Sequence, residues 1–340
     1  MWSAEHRGSG YIAPDRVPHN EHHNKNLDST FISRRSISPV HIGNMSLEVI
    51  YVTRHGFRSG WSVDPLTGVY TAAIRSPTGI PADPALTSYG VSQAKEMGKH
   101  LMTLEPPIDA VYSSPYYRCL QTITPFVELK QQQLKEEMAT ATAHGSATTT
   151  ICPEHGLSEF FGAAPFDHPI PASHKRLKEL FPAYDDSYVS AIKPSRKGET
   201  IEDLYGRVAA AVRGIIERCD AEGKRAVVLC THAAVVIALG RVLTGRVPEA
   251  VEEEDFHAFT CGLSTYRRRR QGTGTQVPSA DESQPFISEA IPIRLGEWQC
   301  ELDSDCSFLS SGEERGWRFS GDESFPGTGS MSQGDVESKL

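Results

Sequence analysis

Paired cysteines, a membrane-length apolar run and an excess of basic charge are all missing from this chain of 340 residues. The seven cysteines, Cys119, Cys152, Cys219, Cys230, Cys261, Cys300 and Cys306, stand singly, with no CxxC pair and no Cys/His spacing suited to zinc. A dispersed, odd set reads as reduced thiols and places the chain in the cytoplasm or nucleus. No run approaches the roughly 18 apolar residues of a membrane span, and the first twenty residues lack a signal-peptide core, so no membrane partner is expected. Lys and Arg number 34 against 43 Asp and Glu, a formal net charge of -9. Such a surface does not attract nucleic acid in general, and any phosphate site must be a local basic cluster.

What is present is alternation. Residues 1–44 are polar and without apolar period, a tail that cannot offset its ordering entropy. From residue 45 the pattern changes: LEVIYVT at 47–53, DAVYSS at 109–114 and AVVLCTH at 226–232 are short β-branched runs of buried-strand length. Between them lie helical patterns: SYGVSQAKEMGKHLMTL behind a Thr87 cap, PYYRCLQTITPFVELK from Pro115, and TIEDLYGRVAAAVRGIIERC from Thr200. This order predicts an α/β domain over 45–266, a three-layer α/β/α sandwich with a mainly parallel central sheet. A low-complexity stretch near 131–149 reads as an exposed insertion, 267–294 as a flexible arginine-rich loop, and 321–340 as a second disordered tail. Residues 295–320 hold Trp298, Leu302, Phe308, Trp317 and Phe319, and read as terminal strands pairing with CGLSTYR or as a segment for a protein partner.

Phosphoryl transfer needs an in-line nucleophile, fixed cations on the equatorial oxygens and a proton donor for the leaving group. All three residue types stand at strand ends here. Arg54, His55 and Arg58 follow the first strand, Arg118 lies one turn into the helix after DAVYSSP, and His232 closes AVVLCTH. Ligand sites of open α/β sheets gather at such carboxyl ends.

The ordered segments VTRHG at 52–56, DPALTSYGVSQA at 83–94, SSPYYRCLQT at 113–122, LSEFFG at 157–162, GETIEDLYGRV at 198–208 and VLCTH at 228–232 resemble the histidine phosphatase superfamily, the phosphoglycerate mutase-like family. The resemblance covers residues 47–266 and implies roles. His55 would be the nucleophile, Arg54 and Arg118 the phosphate clamp, and His232 the second histidine hydrogen-bonding the transferring group. Glu159 falls where the mutase branch places its general acid, a role that asks for a raised pKa; the other reading is a surface carboxylate beside Phe160 and Phe161. Arg58 matches an additional arginine of some members, or is a solvated loop arginine. His232 is followed by Ala233 where the family commonly has glycine.

After RHG the chain continues FRSGW, without the mutase branch's Glu and Ser, and no dense basic stretch offers itself to a bisphosphorylated cofactor. A phosphatase acting on a phosphorylated small molecule or phosphoprotein is therefore expected, with no cofactor and no metal, since arginines supply the charge. The sequence is also similar in general cast to the tau-subunit group of fungal RNA polymerase III transcription factor C, which joins such a domain to a C-terminal assembly segment. That similarity implies a non-catalytic or weakly catalytic assembly subunit.

Overall fold

The run at 47–53 forms a strand that is inaccessible along its whole length, β1 (Val49–Arg54). Its side chains alternate between two apolar layers, Val49 and Tyr51 on one face, Ile50 and Val52 on the other. A computed structural model describes residues 46–140, 149–269 and 295–319. Along them follow β2 (Trp61–Val63), β3 (Tyr70–Ala72), α1 (Ser88–Leu101), β4 (Ala110–Ser113), α2 (Tyr117–Thr140) and β5 (Ile151–Pro153). After a single 3-10 turn at His155–Leu157 come α3 (His174–Leu180), α4 (Ile201–Ala221), β6 (Ala226–Thr231), α5 (Ala233–Thr244), β7 (Leu263–Arg268) and β8 (Trp298–Asp305). β2 and β3 pair as a separate hairpin.

The main sheet has the order β5-β4-β6-β1-β7-β8, parallel from β5 to β1 and antiparallel at β7 and β8. Helices α1 and α2 cover the Val49 and Tyr51 face through Met97, Leu101, Leu120, Ile123 and Val127. Leu204, Val208 and Val212 of α4, with Val235 and Leu239 of α5, cover the other. The expected three-layer sandwich is the one observed. The helices begin where their caps dictate: Thr87 Oγ1 accepts from Gly90 N at 3.2 Å, and Thr200 forms a reciprocal capping box with Asp203. None of the described helices is long and apolar enough to cross a membrane.

Several expectations are corrected. The stretch near 131–149 is in part helix, because α2 runs on through Thr140. Its glutamines reach one turn ahead, Gln132 to Glu136 at 3.0 Å and Gln133 to Glu137 at 2.9 Å, which supports an exposed helix. Residues 141–148 lie outside the described residues, as do 1–45, 270–294 and 320–340. The arginine run starts inside β7 rather than in a loop. Arg267 meets Glu301 at 2.7 Å, and Arg268 meets Asp220 at 2.8 Å, so two of its charges are answered by carboxylates of β8 and α4. Leu302 does not pack: it is half exposed, because register shifts between β7 and β8 turn it outward. The expected strand around Trp317 is absent too. Residues 306–319 hold no strand, and Arg315 takes a positive φ of 53°, outside the extended region.

Trp298 is wholly buried in β8 beneath the Arg268 guanidinium, 5.4 Å from its ring. Truncating Trp298 to alanine should lower stability by about 3 to 5 kcal/mol, the ordinary cost of emptying a buried aromatic site. Urea unfolding would show this as a lower midpoint at unchanged m-value. An unmoved midpoint would mean that β8 adds nothing to the core.

Candidate active site

Main-chain bonds lace the carboxyl ends of three neighbouring strands, and the site is built on them. His55 N donates to Thr231 O at 2.9 Å, joining β1 to β6, and Ser114 N donates to Cys230 O at 2.9 Å, joining β4 to β6. Arg54 is therefore the last residue of β1, His55 the next, and His232 the first after β6, where it caps α5. Arg118 opens α2, and Glu159 follows the 3-10 turn. All of these side chains and that of Arg58 are buried. Ala233 stands as the first residue of α5.

The loop after His55 is fixed by groups whose part was not evident in the sequence. Gly56 N donates to Thr122 Oγ1 at 3.0 Å and Phe57 N to Gln93 Oε1 at 3.0 Å. Two glycines let the loop and α1 touch: a Cβ on Gly90 would lie 2.0 Å from Phe57 O, and one on Gly56 would lie 2.9 Å from Gly90 O. Thr122 and Gln93 lie within the motif segments, so the signal was there without the partner. Asp83, at the start of the DPALTSYGVSQA segment, is buried 3.4 Å from Arg118, and burial pushes its carboxyl up to about 7 against the pull of that guanidinium.

His55 Nδ1 lies 2.8 Å from Gly56 O. A carbonyl only accepts, so Nδ1 carries the proton and Nε2 keeps its lone pair. Burial, then the charges of Arg118, His232, Arg54 and Arg58, hold the imidazole well below its usual range, hence neutral. The His232 ring stands 5.4 Å away, nearly edge-on. Burial presses its pKa down, but Cys119 and Glu159 outweigh that and raise it. The favoured imidazolium has Nδ1 3.2 Å from Glu159 and Nε2 2.7 Å from Ser114 Oγ.

Arg118 ties the cluster together. Its Nη1 donates to Ala82 O at 3.1 Å, and its Nη2 donates to Glu159 Oε2 at 2.9 Å and lies 3.1 Å from His232 Nδ1, two N–H groups drawn together by the one carboxylate. This overturns the raised pKa expected for Glu159. Burial alone would raise it, but His232 and Arg118 pull the carboxyl well below the usual range, so it is ionised in the free site. Burial and mutual repulsion bring Arg54 down to about 10 and Arg58 to about 9. The Nε atoms of Arg54 and Arg118 are buried donors with no hydrogen-bond partner among the described residues. Converging guanidinium donors of this kind suit a phosphate.

The profile of the histidine phosphatase superfamily (branch 1) matches residues 50–141 and 133–278, well over half of the chain. The chain belongs to this superfamily. Within it, the transcription factor tau 55 kDa subunit of Saccharomyces cerevisiae is 30% identical over 284 residues, covering 81% of this chain and 59% of that protein. The ecdysteroid-phosphate phosphatase of Drosophila melanogaster is 28% identical over 198 residues, covering 56% of this chain and 24% of that protein. The match thus spans less than two thirds of either relative's length. The crystal structure of the ecdysone phosphate phosphatase from Bombix mori, in complex with tungstate, is similar with a TM-score of 0.48 and 20% identity, over 71% of this chain and 98% of that one.

One atom each from His55, Glu159 and His232 of this histidine phosphatase domain lies within 4.8 Å of the others, a spacing that would admit a metal ion. Arg54, Arg58 and Arg118 around them disfavour a further cation, and the donor set fits an anion better. Beside Glu159 a cavity of about 250 Å³ opens between Tyr116, Phe161, His168 and Ile170, with Lys193 and Arg196 at its lining.

His55 also shapes the acid stability of the domain. Its folded pKa lies below 6.5, so the unfolded chain takes up a proton near that pH which the folded chain refuses, and stability falls as pH drops below 6.5. His232, raised above 6.5, contributes fully below that value and loses its contribution as pH rises through the folded pKa. Glu159, held below 4.5, contributes above that value and loses it as pH falls through its folded pKa. Comparing wild type with His55→Gln should therefore show a shallower decline of melting temperature for the variant between about pH 6.5 and 5, by up to roughly 1.4 kcal/mol per pH unit. Parallel curves would contradict a neutral buried His55.

Proposed function

We propose that the chain is a phosphomonoesterase working through a phosphohistidine on His55, acting on a phosphorylated small molecule or phosphoprotein. The observation that carries this is the His55 tautomer: Nδ1 is bound to Gly56 O, which leaves a neutral Nε2 lone pair amid Arg54, Arg58, Arg118 and His232. Attack by Nε2 on phosphorus forms the P–N bond as the P–O bond to the leaving group breaks. Arg54, Arg118 and the His232 imidazolium hold the equatorial oxygens, with Arg58 adding to the field.

Glu159 gives the leaving oxygen its proton. It is ionised in the free site because Arg118 and His232 pair with it. A bound phosphate ester draws those cations to itself and sets negative charge beside the carboxylate, which raises its affinity for the proton that a monoanionic ester brings in. Water, deprotonated by the same carboxylate, then cleaves the P–N bond and frees phosphate. No metal is needed, because the guanidinium groups carry the charge, and a mutase is disfavoured by the FRSGW continuation after RHG. The test is whether label from a phosphate ester stays on His55 after a rapid acid quench.

The yeast relative supports a second reading. That protein is a transcription factor subunit, and its match extends over 81% of this chain. On this reading the chain is a nuclear assembly subunit with protein partners, catalysis being weak or dispensable. Affinity purification of tagged wild type and His55→Ala separates the two: an assembly role retains its partners without His55.

A further inference from the structure

The two ring nitrogens of His232 meet different surroundings. Nδ1 faces the site, 3.2 Å from the Glu159 carboxylate and 3.1 Å from Arg118 Nη2. Nε2 faces the interior, 2.7 Å from Ser114 Oγ. Both residues are wholly buried, so the partner that Nε2 requires has to be a protein group. Cys119 Sγ stands 3.5 Å from Nε2, but its thiol hydrogen is turned to Thr231 O. The titratable and charged groups around the ring are thus Arg118 and Cys119 from α2, Glu159, His55 with its ring 5.4 Å away, and Tyr116 at 5.5 Å and a right angle. Ser114 is a neutral group among them.

Ser114 is itself fixed from two sides. Its N donates to Cys230 O at 2.9 Å, and its Oγ accepts from Tyr116 N at 3.4 Å where α2 begins. A hydroxyl works in both directions: it accepts from an imidazolium N–H, and it donates to the same nitrogen once that has lost its proton. In either state the remaining proton is left on Nδ1, toward Glu159 and the converging arginines. With no partner at Nε2 the choice passes to the other side of the ring, where the Arg118 N–H at 3.1 Å favours a bare Nδ1. Turning the ring over about χ2 would be no remedy, since it exchanges Nδ1 for a carbon.

We infer that Ser114 is the positioning residue for His232: its hydroxyl holds Nε2 so that Nδ1 stays protonated toward the phosphoryl group whether the ring is charged or neutral. The catalytic consequence rests on the phosphate-ester reading; the tautomer does not. NMR of protein with labelled histidine ring nitrogens reads it directly, His232→Asn identifying the signals. At alkaline pH the wild type should carry the His232 proton on Nδ1. Ser114→Ala, and Ser114→Cys which keeps the volume that alanine empties, should move it in part to Nε2, and Ser114→Thr should restore the wild-type signal. With His55→Ala in place, the Ala and Cys forms should bind inorganic phosphate about tenfold more weakly, as for one lost hydrogen bond to a charged group. In turnover the alkaline limb of kcat/KM should move to lower pH, because an imidazolium deprived of an acceptor gives up its proton more readily. The wild-type tautomer and its loss in the variants, in a chain that turns nothing over, would uphold the assignment and sink only the catalytic reading. A wild-type His232 protonated on Nε2 alone, or wild-type signals and phosphate binding in both Ser114→Ala and Ser114→Cys, would overturn it.

Discussion

Replacing Arg118 by alanine should lower kcat/KM on aryl phosphates by about 10²- to 10³-fold, corresponding to roughly 3 to 4 kcal/mol of transition-state stabilisation from one preorganised electrostatic donor. The effect should exceed that of losing a single hydrogen bond, because this fully buried side chain donates to Ala82, Asp83 and Glu159 at once. Without it two carboxylates remain in the interior with no guanidinium between them. Breaking a buried pair in this way costs about 3 to 5 kcal/mol of stability. Lysine should rescue little, since its point charge cannot reproduce a planar fork divided between opposite partners. Activity must be measured at matched folded fraction, with thermal unfolding of the same samples. An Arg118→Lys protein with wild-type rate and melting temperature would remove Arg118 from the centre of the mechanism.

His55→Ala should abolish turnover to within the background, a loss on the order of 10⁴-fold or greater for removal of a nucleophile. Labelled ester mixed with wild type and quenched within milliseconds should leave an acid-labile, base-stable phosphoryl group on the peptide containing His55. The variant should carry none. Ser114, whose Oγ lies 2.7 Å from His232, is the competing nucleophile nearest to hand, and its phosphoester would survive acid. Label there, or a His55→Ala enzyme of normal rate, would refute the phosphohistidine. The variant should fold well, since it discards a buried imidazole pressed by four positively charged neighbours.

The strands and the residues at their ends were legible because both signals are local. LEVIYVT runs straight into Arg54 and His55, and AVVLCT into His232, so naming a strand also named what stands at its end. The ionisation of Glu159 was not legible. It depends on Arg118 and His232, brought to within 3.2 Å by a sheet whose strand order differs from chain order. The reach of α2 was hidden by the low-complexity composition that follows it, though Gln132 and Gln133 stand one turn from Glu136 and Glu137. Leu302 looked like core because its chemistry is apolar, and only the shifted pairing of β7 with β8 decides which way it points. Arg315 carries no motif, and its place over Phe57 depends on how the segment after β8 is anchored, with Phe308 stacked on His100 and Phe319 under Arg241.

The bonds from His55 N to Thr231 O and from Ser114 N to Cys230 O belong to the backbone, which every residue shares. This frame therefore does not depend on the imidazole at position 55, and on the proposed reading chemistry and shape are separately heritable in this chain. A lineage that needed only the shape could lose its chemistry by one substitution at position 55 and keep a rigid, folded body for other molecules to build upon. The return journey would be equally short.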